Sequence, residues 1–171
     1  MYNNVGKRDI LIFPKFKNIE LIQNIRDKHD KLAHLVAPHI TLAFPFSDNM
    51  SNDELIGQLS NLLKSYTTFS VTFQNISLSD DNYIFLSCTS GKEKLIKLHD
   101  EIYKNILPNH LNKSIEYIPH ITLGKSKITN EFKDFNYKFT TLINEISVEL
   151  IGENEKSIIL RSIKLKDNPS K

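Results

Sequence analysis

The chain has 171 residues, about the length of one domain, and a chain of this size can bury about 70% of the surface its unfolded form exposes. Its 40% hydrophobic and 25% charged residues are ordinary globular values, which argue against intrinsic disorder, a collagen repeat and a coiled-coil rod. The balance of 22 Lys+Arg against 20 Asp+Glu, a formal charge of +2, lacks the basic surplus of a protein that lives on bulk duplex DNA, and leaves small anionic ligands and short RNA ends open.

A single Cys88 makes neither an internal disulfide nor a Cys-rich zinc site, which fits a reducing cytoplasm. The apolar runs at 10–13 and 83–86 fall far short of the ~20 residues that span a bilayer. The N-terminus lacks a basic region followed by a long apolar segment. Neither secretion nor a membrane partner is therefore expected, and a monomer is.

Residues 10–13 are continuously apolar, as in a central strand, and 18–33 follow with Ile22, Ile25 and Leu32 near a helical stripe. Pro38 closes the connection, and 39–44 reads as a strand in which Ile40 and Leu42 alternate. Ser51-Asn52-Asp53-Glu54 has the capping-box pattern, and Leu55, Leu59, Leu62, Leu63 and Tyr66 recur behind it at helical spacing. Phe69, Val71 and Phe73 alternate, a polar turn at 79–82 follows, and 83–88 pairs back as a hairpin. A helix is expected over 92–106, ended by Pro108, then strands at 119–123, within 139–148 and over 157–165.

The second half repeats the first. Strand, helix and Pro-His-Ile-Thr-Leu occur in the same order in both, with the pentapeptide at 38–42 and again at 119–123, and 139–148 (FTTLINEISV) resembles 69–78 (FSVTFQNISL). Two copies predict a pseudo-symmetric bilobal domain spanning 1–171, because open solenoids generally need three or more. The strand period puts His39 with Thr41 on one face and Ile40 with Leu42 on the other, and treats His120, Thr122, Ile121 and Leu123 alike. A pseudo-two-fold axis would bring both His-x-Thr pairs to one central groove. Imidazole titrates near neutrality, so one ring can take a proton from an attacking oxygen while the other protonates a departing one. Threonine hydroxyls can donate to the non-bridging oxygens of a phosphoryl group.

On these two motifs, His39-Ile40-Thr41 and His120-Ile121-Thr122, the chain resembles the 2H phosphoesterase superfamily, and within it the 2′-5′ RNA ligase or LigT-like branch. The resemblance implies an α+β fold of two antiparallel-rich sheets with outer helices and a central groove. It implies a metal-independent, cofactor-free phosphodiesterase acting on 2′,3′-cyclic or 2′-5′ phosphoesters, with an RNA terminus or cyclic nucleotide as substrate. His39 and His120 become acid and base, and Thr41 and Thr122 hold the phosphate. The pseudo-symmetry leaves the direction of proton transfer open, and the analogy favours His120 as base and His39 as acid. Relatives often carry an aromatic residue five positions after the first His and a basic one five after the second, here Phe44 and Lys125. Phe44 would stack on a base and Lys125 would pair with phosphate, without the bidentate geometry of the more usual Arg. The first motif continues Phe44-Pro45-Phe46 where many LigT relatives have a Gly after the aromatic, which changes the pocket rim.

The alternative is a nucleotide or RNA-end binding module that uses the same groove without turnover. A metal site ranks below both, because two histidines without a further ligand at suitable spacing leave zinc short of its usual set. Cys88 ends an apolar strand and reads as core filling, and Lys92, Lys94 and Lys97 as a solvated helix face.

Overall fold

Residues 5–128 and 130–169 are described by the computed structural model. They form eight strands, β1 (Lys7–Ile12), β2 (Ile40–Phe46), β3 (Phe69–Leu78), β4 (Tyr83–Ser90), β5 (His120–Lys125), β6 (Phe139–Ile143), β7 (Glu145–Ile151) and β8 (Ser157–Lys164). Three helices stand between them, α1 (Ile19–His29), α2 (Asn52–Leu63) and α3 (Lys92–Asn105). The expected cap of α2 is present: Ser51 Oγ accepts the Glu54 N–H at 3.1 Å, while the Glu54 carboxylate turns instead to Gln58.

The strand order is β6-β3-β4-β5-β2-β1-β7-β8, and each ladder between neighbouring strands is antiparallel. The two expected sheets are the halves of this one ladder, four strands each. They are joined at the β2–β5 seam by a single registered pair, Ile40 opposite Ile121. The units β1-α1-β2 and β4-α3-β5 flank that seam as the sequence repeat requires. The resemblance of 139–148 to 69–78 carries through in its second half only: β7 stands beside β1 as β3 stands beside β4, with Ser147 opposite Leu11 and Ser77 opposite Phe85. Residues 139–143 form β6, which pairs with β3 itself from Phe69 opposite Ile143 to Phe73 opposite Phe139, and after Asn144 the chain crosses to β1 as β7.

Alternation decides which face of each strand meets the helices. Ile10, Ile12, Ile40, Leu42, Ile84, Leu86, Ile121, Leu123, Ile146 and Val148 are buried in one cluster with Ile22 of α1, Leu55 and Leu59 of α2, and Leu95, Leu98 and Ile102 of α3. The helices thus cover the face that Ile40 and Ile121 share, and the motif polar residues occupy the other. Arg8 lies on the helix side of β1, where its guanidinium meets Asp48 at 2.6 Å, the Met50 carbonyl at 2.6 Å and Asn52 at 3.2 Å, tying β1 to the start of α2.

Asp9 and Glu149 stand opposite each other in the β1–β7 ladder and are only 5% and 4% exposed. Burial, then the charge of Glu149, pushes the Asp9 carboxyl up to about 8, and burial also raises Glu149, whose carboxylate accepts from Ser157 Oγ. At neutral pH Asp9 therefore keeps a proton and donates it to Glu149. The unfolded chain releases that proton near the ordinary Asp value of about 3.9, so folding stability from this group is complete below that value and is lost as pH rises toward about 8. Urea melts between pH 5 and 9 should show this decline in the wild type, and Asp9→Asn should flatten it; an equal slope in both would contradict the assignment.

Candidate active site

The register that pairs Ile40 with Ile121 determines the site. One residue to either side, it sets His39 opposite Thr122 and Thr41 opposite His120, on the face turned away from the helices. The two histidines are then diagonal neighbours, a relation that places Cα atoms about 7–8 Å apart. That span leaves room for one tetrahedral group between the rings. The four residues that the sequence singles out for chemistry are thus brought together at the seam, each half supplying one ring and one hydroxyl.

The rings are oriented identically. His39 Nδ1 lies 2.9 Å from the Ala37 carbonyl and His120 Nδ1 lies 2.7 Å from the Ile118 carbonyl. A carbonyl only accepts, so each Nδ1 carries the hydrogen and each Nε2 presents its lone pair. This explains why the repeated element begins with proline. Pro38 and Pro119 hold the preceding residue extended, which fixes the carbonyl that each ring meets two positions back. Among the described residues, neither Nε2 and neither threonine hydroxyl has a hydrogen-bond partner, so all four polar tips are available to a ligand.

Burial lowers both imidazoles from the ordinary 6.5, opposed in each case by the bond to the carbonyl. His39 is lowered further by Arg26 and by His120, and partly restored by Asp30. Both rings are therefore neutral at pH 7. Arg26 is a buried residue of α1 whose guanidinium bonds to Asp30 and to the Leu32 and Val36 carbonyls, which fixes the segment leading into Pro38.

Phe44 and Lys125 occupy equivalent positions past the two motifs, and both are exposed. The Phe44 N–H donates to Tyr103 Oη at 3.0 Å. Its ring borders a cavity of about 200 Å³ whose wall includes His99, Tyr103, His110, Ile115 and Tyr117. Tyr117 stacks on His99 with centroids 3.9 Å apart and donates to the Thr41 carbonyl at 2.8 Å, so this cavity is fastened directly to the first motif. Burial raises the Tyr117 phenol, which keeps it a neutral donor. Lys125 stands opposite Tyr83 in the β4–β5 ladder, and its Nζ lies 4.1 Å from the centre of the Tyr83 ring. A register shift between Ile84 and Phe85 puts Lys125 on the face of His120 and Thr122, where uninterrupted alternation would turn it away.

Four further residues bear on the site without having been singled out in the sequence. Phe85, opposite Thr122, packs on the His120 ring at 4.0 Å, and Phe13 meets His39 edge-on at 6.2 Å. Strand parity could have found both, since Phe85 lies on the motif face of β4 and Phe13 continues the same alternation one residue past the end of β1. His99 lies near the apolar stripe of α3, where a packed histidine is the ordinary outcome, and Tyr117 comes from an irregular loop, where no periodicity marks it. Cys88 is half-buried against the core and its thiol is pushed up to about 11, as expected of a packing residue. Lys92, Lys94 and Lys97 are exposed on α3; Lys94 and Lys97 line a groove between α2 and α3 that contains none of the motif residues. Among the described residues no three His, Cys, Asp or Glu side chains cluster to hold a metal ion, and no helix is long and apolar enough to cross a membrane.

Comparison with known proteins bears on this arrangement as a whole. Two curated proteins named "Putative phosphoesterase" are similar to the chain. The one from Bacillus licheniformis is 28% identical over 134 residues, covering 75% of this chain and 76% of the relative. The one from Geobacillus is 25% identical over 131 residues, covering 75% and 74%. The fold matches a crystal structure of a phosphoesterase with a TM-score of 0.71 at 16% identity, covering 95% of this chain and 99% of the other. It matches E. coli LigT complexed with 3′-AMP with a TM-score of 0.68 at 18% identity, covering 94% and 98%. The model of one family matches residues 14–149, which includes both His-x-Thr motifs and the strands that carry them. The chain belongs to the 2′-5′ RNA ligase superfamily.

Proposed function

We propose that this member of a phosphoesterase family is a metal-independent phosphodiesterase acting on 2′,3′-cyclic or 2′-5′ phosphoesters of RNA ends or nucleotides. The observation that carries the reading is the pair of unpartnered Nε2 atoms set diagonally across the seam, each ring fixed by a carbonyl behind it. A phosphate between the rings would accept hydrogen bonds from Thr41 and Thr122. In the hydrolytic direction His120 Nε2 accepts a proton from water as its oxygen bonds to phosphorus. The bond from phosphorus to the ribose oxygen breaks, and that oxygen takes the proton from His39 Nε2. The two rings then hold each other's starting protonation states, so the same geometry runs the reverse reaction.

Both rings are neutral in the free protein, so the acid must gain its proton as the anionic phosphate arrives and stabilises imidazolium. The Phe44 cavity would take the nucleoside, a role supported by its attachment to Thr41 through Tyr117 and by the nucleotides bound in LigT structures, 3′-AMP, ATP and NADP+. Lys125 would pair with phosphate. The test is a panel of 2′,3′-cyclic nucleotides and cyclic-phosphate-ended RNAs offered in EDTA, with products identified by mass and by phosphate position. Ring opening to a monoester is expected. Tight binding without product would instead identify a nucleotide-binding module, and activity abolished by the chelator would overturn the metal-free mechanism.

A further inference from the structure

The wall of the Phe44 cavity holds two histidines that the proton transfer does not use, His99 of α3 and His110 just beyond that helix. Each is pinned by a carboxylate. His99 Nδ1 lies 2.9 Å from Asp100 Oδ1, and His110 Nε2 lies 2.9 Å from Asp48 Oδ2. Asp48 also accepts from the Arg8 guanidinium at 2.6 Å and from the Met50 N–H at 3.0 Å, so it meets His110 as an acceptor. Both rings are packed as well, His99 against Tyr117 at 3.9 Å and Tyr103 at 4.8 Å, and His110 against Phe46 at 5.0 Å.

A neutral imidazole has one N–H, and in both rings the carboxylate takes it. The nitrogens left over, His99 Nε2 and His110 Nδ1, are therefore acceptors, and neither has a partner among the described residues. They are not sealed inside the protein. Among the described residues, fully buried side-chain nitrogens and oxygens without a partner occur only in Arg8, Asp9 and Arg26, so these two lone pairs open on the cavity that both rings wall. Tyr103 brings the opposite polarity. It is only 4% exposed, its Oη accepts the Phe44 N–H at 3.0 Å, and its own hydrogen has no acceptor among the described residues. Two acceptors and one donor on one wall distinguish between bases. An exocyclic amine donates two hydrogens, and in adenine and cytosine an accepting ring nitrogen lies beside it. A keto base puts an oxygen where the amine would be, facing two lone pairs, and leaves both imidazoles unpaired.

We propose that His99 and His110 read an exocyclic amine, so that the cavity selects a nucleoside with an aminated base, adenine or cytosine, over one with a keto base. This rests on the reading of the cavity as the nucleoside site. The test is calorimetry at about pH 8, where free imidazole is neutral, with 3′-AMP, 3′-IMP and inorganic phosphate as ligands. The two nucleotides have the same charge and size, and differ in the amine and the keto group that replaces it. The wild type should bind 3′-AMP about tenfold more tightly than 3′-IMP. His99→Phe and His110→Phe keep a ring in place without the acceptor, and each should bring that ratio toward one. Nitrogen NMR of the free wild type needs no variant, and should find the hydrogen on Nδ1 of His99 and on Nε2 of His110. Equal affinity for the two nucleotides, a ratio unchanged in both variants, or the opposite tautomers would overturn the amine reading alone. If neither nucleotide bound more tightly than inorganic phosphate, the nucleoside site would fall with it.

Discussion

His39→Ala and His120→Ala should each lower turnover of a 2′,3′-cyclic phosphate by about 10²–10⁴-fold, the usual contribution of a positioned acid or base. The loss should fall on kcat more than on KM, because on the proposed reading the hydroxyls of Thr41 and Thr122 and the side chain of Lys125 would still meet the phosphate. The double variant should be little slower than the slower single one, since the two rings act as a unit and either half of the proton transfer is useless alone. Thr41→Val and Thr122→Val remove one donor each to a charged group and should cost less, about 10- to 100-fold. Steady-state kinetics with a chromatographic readout of the monoester would measure all of these. Wild-type turnover in either histidine variant would reject the mechanism.

Gly124→Ala should have the largest effect on stability. Gly124 has a φ of +125°, where side chains are strained, and a Cβ there would stand 2.3 Å from the carbonyl carbon and oxygen of His29 and 2.7 Å from the Asp30 N–H nitrogen. Those are backbone atoms at the end of α1, which cannot swing aside as a side chain would. Strain and displacement together should cost about 3 kcal/mol or more. In a chain of this length that lowers Tm by about 6–12 °C. Gly57→Ala is the control, because nothing lies within 4 Å of the added atom in exposed α2, and it should stabilise by about 0.5–1 kcal/mol. A Gly124→Ala protein melting with the wild type would show that α1 does not press on β5 as described.

The contrast between these two experiments follows what local sequence can reveal. His39, Thr41, His120 and Thr122 were legible because strand parity is a property of adjacent residues and the pentapeptide repeat marked both copies. The pairing that joins them was not, since one registered pair, Ile40 with Ile121, links segments that are far apart in the chain. Lys125 was legible as a residue type, but its direction depends on the register shift beside Phe85, which a Gly inside a strand only hints at.

Element boundaries moved for similar reasons. The first helix stops at His29, short of the expected 33, because Asp30 caps it from outside. Its carboxylate takes the Leu32 N–H and the Arg26 guanidinium, an arrangement that competes with another helical turn. Strand β3 runs on to Leu78 past the point where alternation fails in the sequence, because Asn75 takes a φ of +70° and the register shifts between Phe73 and Ile76. Asp9 follows Lys7 and Arg8 just ahead of the apolar run 10–13, Glu149 interrupts the apolar residues of 146–151, and nothing local indicates that the two meet.

The convergence of both rings on one phosphate is tested most directly by nitrogen NMR of the histidine side chains during titration with a nucleoside 3′-monophosphate. In the free protein both rings should titrate below the ordinary 6.5, with the hydrogen on Nδ1 at neutral pH. On adding ligand, the Nε2 signals of His39 and His120 should shift together along one saturation curve, and both midpoints should rise. A response confined to one ring, or two curves with different affinities, would contradict the account.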